Sequence, residues 1–236
     1  MGVLLKKEDW LLVTIFILAS ATTISKAYFT SHGYLTSDAI AYLAVAQNLI
    51  EGNGIIRGKG DFFAKWPVGY PILIFAVAKL TGLTVFWASK VLNIFLIGGI
   101  LGFLRSLFKD NAFLYGLIFF FSTYLEIYSY SWSEPLFIFA LVFFAHNIYI
   151  IIDNQKNSFA MFVLLASSSL ILSFTRYIGA FSFIIVGLLG LYFLFFKRDK
   201  IQAAILISIA LITTIIMVGY LYFNYLETGY PTGIPR

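Results

Sequence analysis

The chain has 236 residues, of which 61% are hydrophobic, 19% aromatic and only 11% charged, and its net charge is +5. A soluble domain carries about a quarter of its residues as charges, so this composition excludes one and points to a bilayer. With no cysteine and two histidines far apart, His32 and His146, disulfides, thiolate sites and multi-histidine sites fall away, and any metal would need oxygen ligands.

Lys6 and Lys7 precede the first apolar run, roughly residues 10–29. At about 20 residues, with no small-residue cleavage signature, it reads as a retained membrane helix rather than a signal peptide. The one long loop follows, spanning about 30–85. Residues 37–51 predict a helix within it, capped by Thr36 or Ser37 and ended by Gly52-Asn53-Gly54. Ile40, Leu43, Ala44 and Ile50 make an apolar stripe suited to the bilayer surface, while Asp38 and Tyr42, four apart, share another face. Asp38 has two readings. It complements the helix dipole, or it is a general base at the membrane edge, where partial burial tunes its pKa.

Further on, two prolines and a glycine fix a bend in the stretch from Asp61 to Pro71, with Trp66 and Tyr70 as anchors at headgroup depth. Lys65 is then level with lipid phosphates, as a snorkelling lysine or as a contact to the phosphate of a lipid-linked substrate. The apolar run 70–80, interrupted by Lys79 and closed by Thr81-Gly82, is too short to span and predicts a re-entrant or interfacial helix.

Six more apolar runs, roughly 86–104, 112–131, 135–152, 159–176, 179–196 and 201–223, bring the spans to seven. Gly98, Gly99 and Gly102 predict close helix packing. Glu126 is a candidate buried acid in the third span. Glu134 stands before Pro135, either as the N-terminal acid of the next helix or as a site acid. Arg176, in an otherwise apolar stretch, needs water or an anion; it marks a turn or grips a phosphate with its bidentate fork. Tyr130, Trp132 and Tyr177 are belt aromatics or the lining of a sugar or isoprenoid groove.

The positive-inside rule orients these runs. With 70–80 not spanning and the N-terminus cytoplasmic, the inner ends hold Lys6, Lys7, Arg105, Lys109, Lys156, Lys197, Arg198 and Lys200, and the short outer turns hold only Arg176. The expected fold is therefore an all-α integral membrane protein. It forms one polytopic domain over residues 1–236, with about seven transmembrane helices and amphipathic or re-entrant helices in the first outer loop. Topology accounts for the positive charge, so no nucleic-acid partner is implied. Asp38, Asp61, Lys65, Glu134, Arg176 and the tail from Asn224 to Arg236 all come to the extracytoplasmic face of a plasma-membrane protein.

The run from Ser37 to Leu49, then Gly52-Asn53-Gly54 and Lys65-Trp66-Pro67-Val68-Gly69-Tyr70-Pro71, resembles the GT-C membrane glycosyltransferases. The likeness is nearest to the dolichyl-phosphate-mannose protein mannosyltransferases and the bacterial aminoarabinose lipid A transferases, and covers most of the chain. It implies transfer, with inversion, of a sugar from a polyprenyl-phosphate donor to a hydroxyl of a protein, lipid or glycan acceptor. Asp38 falls on the position of the proton-accepting acid in that family, while Ala39 stands where several relatives carry a second acid. Tyr42, Lys65, Glu134 and Arg176 are the candidate substrate contacts. Some GT-C enzymes place a metal-binding acidic motif in the loop of Glu134; this chain has a single acid there, which argues against a divalent metal without closing the question. Relatives continue past turns like the one at Asn224-Tyr225, so the expectation is a fragment of a longer enzyme or a chain that takes those elements from a partner. The alternatives are a non-catalytic membrane scaffold, in which Asp38 is replaceable, and a transporter or flippase subunit for lipid-linked substrates, which would bury polar groups near mid-bilayer.

Overall fold

The computed structural model describes residues 6–29, 35–58, 60–153 and 159–232. His32 and Lys156 lie outside these residues. Five helical stretches are long and apolar enough to cross a membrane: Lys7–Phe29, Val85–Phe120, Glu134–Asp153, Tyr177–Lys197 and Lys200–Thr228. Their outward faces are apolar as well. Phe95, Ile215 and Leu226 are each more than 60% exposed, the inverse of a soluble surface. The chain is an all-α integral membrane protein.

In chain order the helices are α1 (Lys7–Phe29), α2 (Ser37–Glu51), α3 (Gly69–Thr81), α4 (Val85–Phe108), α5 (Ala112–Gly116), α6 (Ser122–Ser129), α7 (Glu134–Asp153), α8 (Phe159–Thr175), α9 (Phe181–Tyr192) and α10 (Lys200–Thr228). Two strands of two residues each, Ile56–Arg57 and Asp61–Phe62, lie in the first loop. By contact density the chain divides into two units. The first is Met1–Lys59 with Tyr70–Phe139, the second Gly60–Gly69 with Ala140–Arg236, and α7 runs from one into the other.

Several expectations change in the structure. The run 112–131, expected as one span, is three short pieces: α5, a 3-10 turn at Leu117–Phe120, and α6. Phe121 breaks them with an extended backbone, ψ 135°. Hydropathy reports how apolar a run is, not whether its helix is continuous. α8 has 17 residues, at the lower limit for a crossing. At the other extreme, α10 runs 29 residues and takes in Asn224 to Thr228, which the sequence assigns to a tail. The helix ends at Gly229, whose φ of 75° supplies the left-handed cap.

In the first unit, α1 and α4 run antiparallel, since residues from the start of α1 meet residues from the end of α4. Arg105 Nε is 2.7 Å from Asp9 and its other nitrogen 2.8 Å from Asp110, which also lies 3.6 Å from Lys6. The glycine pattern on α4 works in two of three places. A Cβ on Gly98 would sit 3.2 Å from the Phe16 ring, and one on Gly99 would sit 2.5 Å from the Phe139 ring, while Gly102 faces open space. In the second unit, a Cβ on Gly190 of α9 would lie 2.8 Å from Ile207 of α10, which explains the close pairing of those two helices.

Candidate functional site

Helix α2 carries the first candidate. Thr36 caps it, its hydroxyl accepting from the Ala39 amide at 3.2 Å, and Gly52 closes it with φ 81°. Asp38 is therefore a half-buried first-turn acid and not the cap itself. Of the stripe expected at the bilayer surface, Ile40 is open and Leu43 is buried. Ala39, Tyr42, Leu43 and Ala46 are packed away, whereas Ile40 is 55% exposed. Tyr42, expected to share a face with Asp38, is 3% exposed.

The loop between α6 and α7 comes to this end of the unit. The Tyr42 hydroxyl and Ser133 Oγ share a hydrogen bond of 3.1 Å, and Trp132 Nε1 donates to the capping hydroxyl of Thr36 at 2.7 Å. The Trp132 and Tyr130 rings stack with centroids 4.1 Å apart and planes 7° apart. Glu134 opens α7 next to Ser133, in the helix-start position that suits an acid followed by proline. Asp38, Tyr42 and Glu134 thus converge on one end of the first unit. Tyr70, expected as a headgroup anchor, is instead completely buried. Its ring meets Tyr42 edge-on at 5.5 Å, and its phenol feels the charge of Glu134. Burial holds that phenol well above the usual tyrosine range, so it stays neutral. Glu126, expected to be buried, is exposed on α6.

Sequence reasoning missed the polar floor beneath this end. Lys90, Ser89 and Asn93 on α4 are all buried, with Lys90 only 1% exposed. Lys90 Nζ donates to the Ser129 carbonyl at 2.6 Å and to Ser131 Oγ at 3.0 Å, and lies 4.8 Å from the centre of the Phe86 ring. Asn93 Nδ2 donates to the carbonyls of Tyr128 and Tyr130 at 2.7 and 3.0 Å. Ser89 and Ser131 hydroxyls bond at 2.8 Å. The available signal was an ionisable residue six positions into an apolar helix, which is a site hypothesis by default.

Lys65 and Arg176 belong to the second unit. Lys65 is exposed, with Nζ 5.4 Å from the Trp66 ring centre, and Arg176 is half-buried at the extended residue after α8. Their neighbours join them: the Tyr177 hydroxyl donates to the Ala64 carbonyl at 2.7 Å and receives a bond from Asn224 Nδ2 at 3.2 Å. Phe62 meets Phe223 edge-on at 5.5 Å. The bend predicted at Pro67-Val68-Gly69 presses against α8, where a Cβ on Gly69 would lie 2.5 Å from the Phe174 carbonyl. Gly179 is equally constrained, because a Cβ there would run into the Leu172 backbone.

Among the described residues no group of three or more His, Cys, Asp or Glu side chains comes together. Compared with known proteins, the chain matches no family model, no curated protein and no solved structure.

Proposed function

We propose that the protein is a membrane glycosyltransferase that moves a sugar from a polyprenyl-phosphate donor to an acceptor hydroxyl on the extracytoplasmic face, with inversion. In this reading the N-terminus is cytoplasmic, and α8 and the broken 112–131 segment complete about seven crossings of the plasma membrane. The observation that supports it most is at α2: the half-buried Asp38 stands at the end of the first unit where Tyr42 and Glu134 also gather, while Thr36 serves as the cap.

The chemistry asked of Asp38 is proton acceptance. The acceptor oxygen attacks the anomeric carbon, its proton passes to the Asp38 carboxylate, and the bond from that carbon to the phosphate oxygen breaks. The polyprenyl phosphate leaves with the electron pair. A positioned base contributes roughly 10²–10⁴-fold to such a step. The leaving phosphate needs cationic contacts rather than an acid.

The test is sugar transfer by the purified chain reconstituted with a polyprenyl-phosphate sugar. Asp38→Asn is expected to lower transfer at least about 100-fold while expression and detergent behaviour stay intact. Full activity of that variant would remove Asp38 from the mechanism. No transfer by the unaltered chain with any donor sugar would favour the scaffold or transporter alternatives.

A further inference from the structure

Lys90 is a buried cationic side chain of the first unit that the proposed reaction does not use. An ammonium has three donors and no acceptor, and here all three directions meet electron-rich groups: a carbonyl, a hydroxyl and an aromatic face. Among the described residues no carboxylate lies within ion-pair distance of it. Its counterpart is the C-terminal end of α6. Tyr128, Ser129 and Tyr130 present three successive carbonyls there, two taken by Asn93 and one by Lys90. A helix C-terminus carries partial negative charge, so a buried cation is compensated there without an acid. Methionine or leucine would fill the same space without any charge to compensate. The side chain is explained by what it holds.

What it holds is the segment from Ser129 to Ser133. Lys90 and Ser89 fix Ser131 from below. Trp132 and Ser133, the next two residues, grip Thr36 and Tyr42 of the α2 segment. We infer that Lys90 is a positioning residue: with Asn93 it clamps the 129–133 segment, and that segment sets the N-terminal turn of α2, where Asp38 stands. The inference rests on Asp38 being the base for its catalytic consequence, but the clamp itself is a statement about Trp132 and can be read without any activity.

Two readouts separate the two claims. In a chain whose other tryptophans, Trp10, Trp66 and Trp87, are replaced by phenylalanine, Lys90→Met is expected to shift Trp132 emission to the red and raise its quenching by acrylamide. Asn93→Ala is expected to do the same more weakly, and serves if Lys90→Met does not fold. In the sugar-transfer assay, Lys90→Met is expected to lower kcat by roughly 10- to 100-fold with the donor KM little changed, as a small misplacement of a base does. A double-mutant cycle with Trp132→Phe should be strongly non-additive, because both changes cut one chain of contacts. Unchanged Trp132 emission in both variants would overturn the clamp. Simple multiplication of the two kinetic effects would overturn its link to Asp38. A Trp132 response in a chain without transfer activity would leave the clamp standing and remove only the glycosyltransferase reading.

Discussion

The first unit has two polar ends built on opposite principles. At one, Lys6, Asp9, Arg105 and Asp110 pair with formal opposite charges, and the outer partners are well exposed, with the side chains of Lys6 and Asp110 more than half open. At the other, the donors of a buried ammonium and of the Asn93 amide are taken by carbonyls and a hydroxyl, with no carboxylate at ion-pair distance among the described residues, while the Asn93 amide oxygen is buried without a hydrogen bond. Exposed ion pairs are screened and give little, whereas buried donors and acceptors are costly to leave unmade. The charged end is therefore the replaceable one and the neutral-looking end holds the fold. Counting charges would rank them the other way.

The sharpest way to break this ranking is Asn93→Leu. The substitution keeps the branched outline of the side chain but strips two carbonyls, those of Tyr128 and Tyr130, of their donor. A loss of about 2 kcal/mol is expected, from roughly 1–3 kcal/mol for each buried group left without a partner, reduced by local rearrangement. Thermal unfolding in detergent measures it, and an unchanged midpoint would put the two ends on the same footing. A smaller effect is expected from Thr36→Val. It removes the N-cap of α2 and the acceptor of Trp132 together, for about 1 kcal/mol. Because Thr36 is half-buried, the loss should persist at high salt, which distinguishes it from an ionic contact.

The same contrast explains what the sequence could and could not show. The helix 37–51 was readable to the residue, since its cap and its glycine stop act within a turn of the chain. The Gly69 bend and the membrane class were readable for the same reason: short-range geometry and composition carry them. The break at Phe121 was not, because an apolar run hides where its helix is interrupted. Lys90 was passed over in the sequence, although a charge inside an apolar helix was there to be seen, and its partners were not legible at all, because backbone carbonyls have no sequence identity. The Tyr177 contact that joins the neighbourhoods of Arg176 and Lys65 escaped in the same way, its acceptor being the Ala64 carbonyl. Side chains that bind side chains leave patterns in a sequence; those that bind main chain leave only an unexplained polar residue.

The smallest effect is expected at the charged end, and it is the one that tests the ranking from the other side. Arg105→Gln keeps a long polar side chain but removes the charge from Asp9 and Asp110. Once the guanidinium is gone both acids can turn to water, so no unsatisfied atom is left inside the protein. Its unfolding midpoint in detergent should fall slightly in low salt and coincide with that of the unaltered chain at about 0.5 M salt, where the screening length is only a few ångströms. A loss that survives high salt, or one as large as that of Asn93→Leu, would mean that the Lys6–Asp9–Arg105–Asp110 cluster holds α1 against α4 by geometry rather than by charge. The ranking of the two polar ends would then fail.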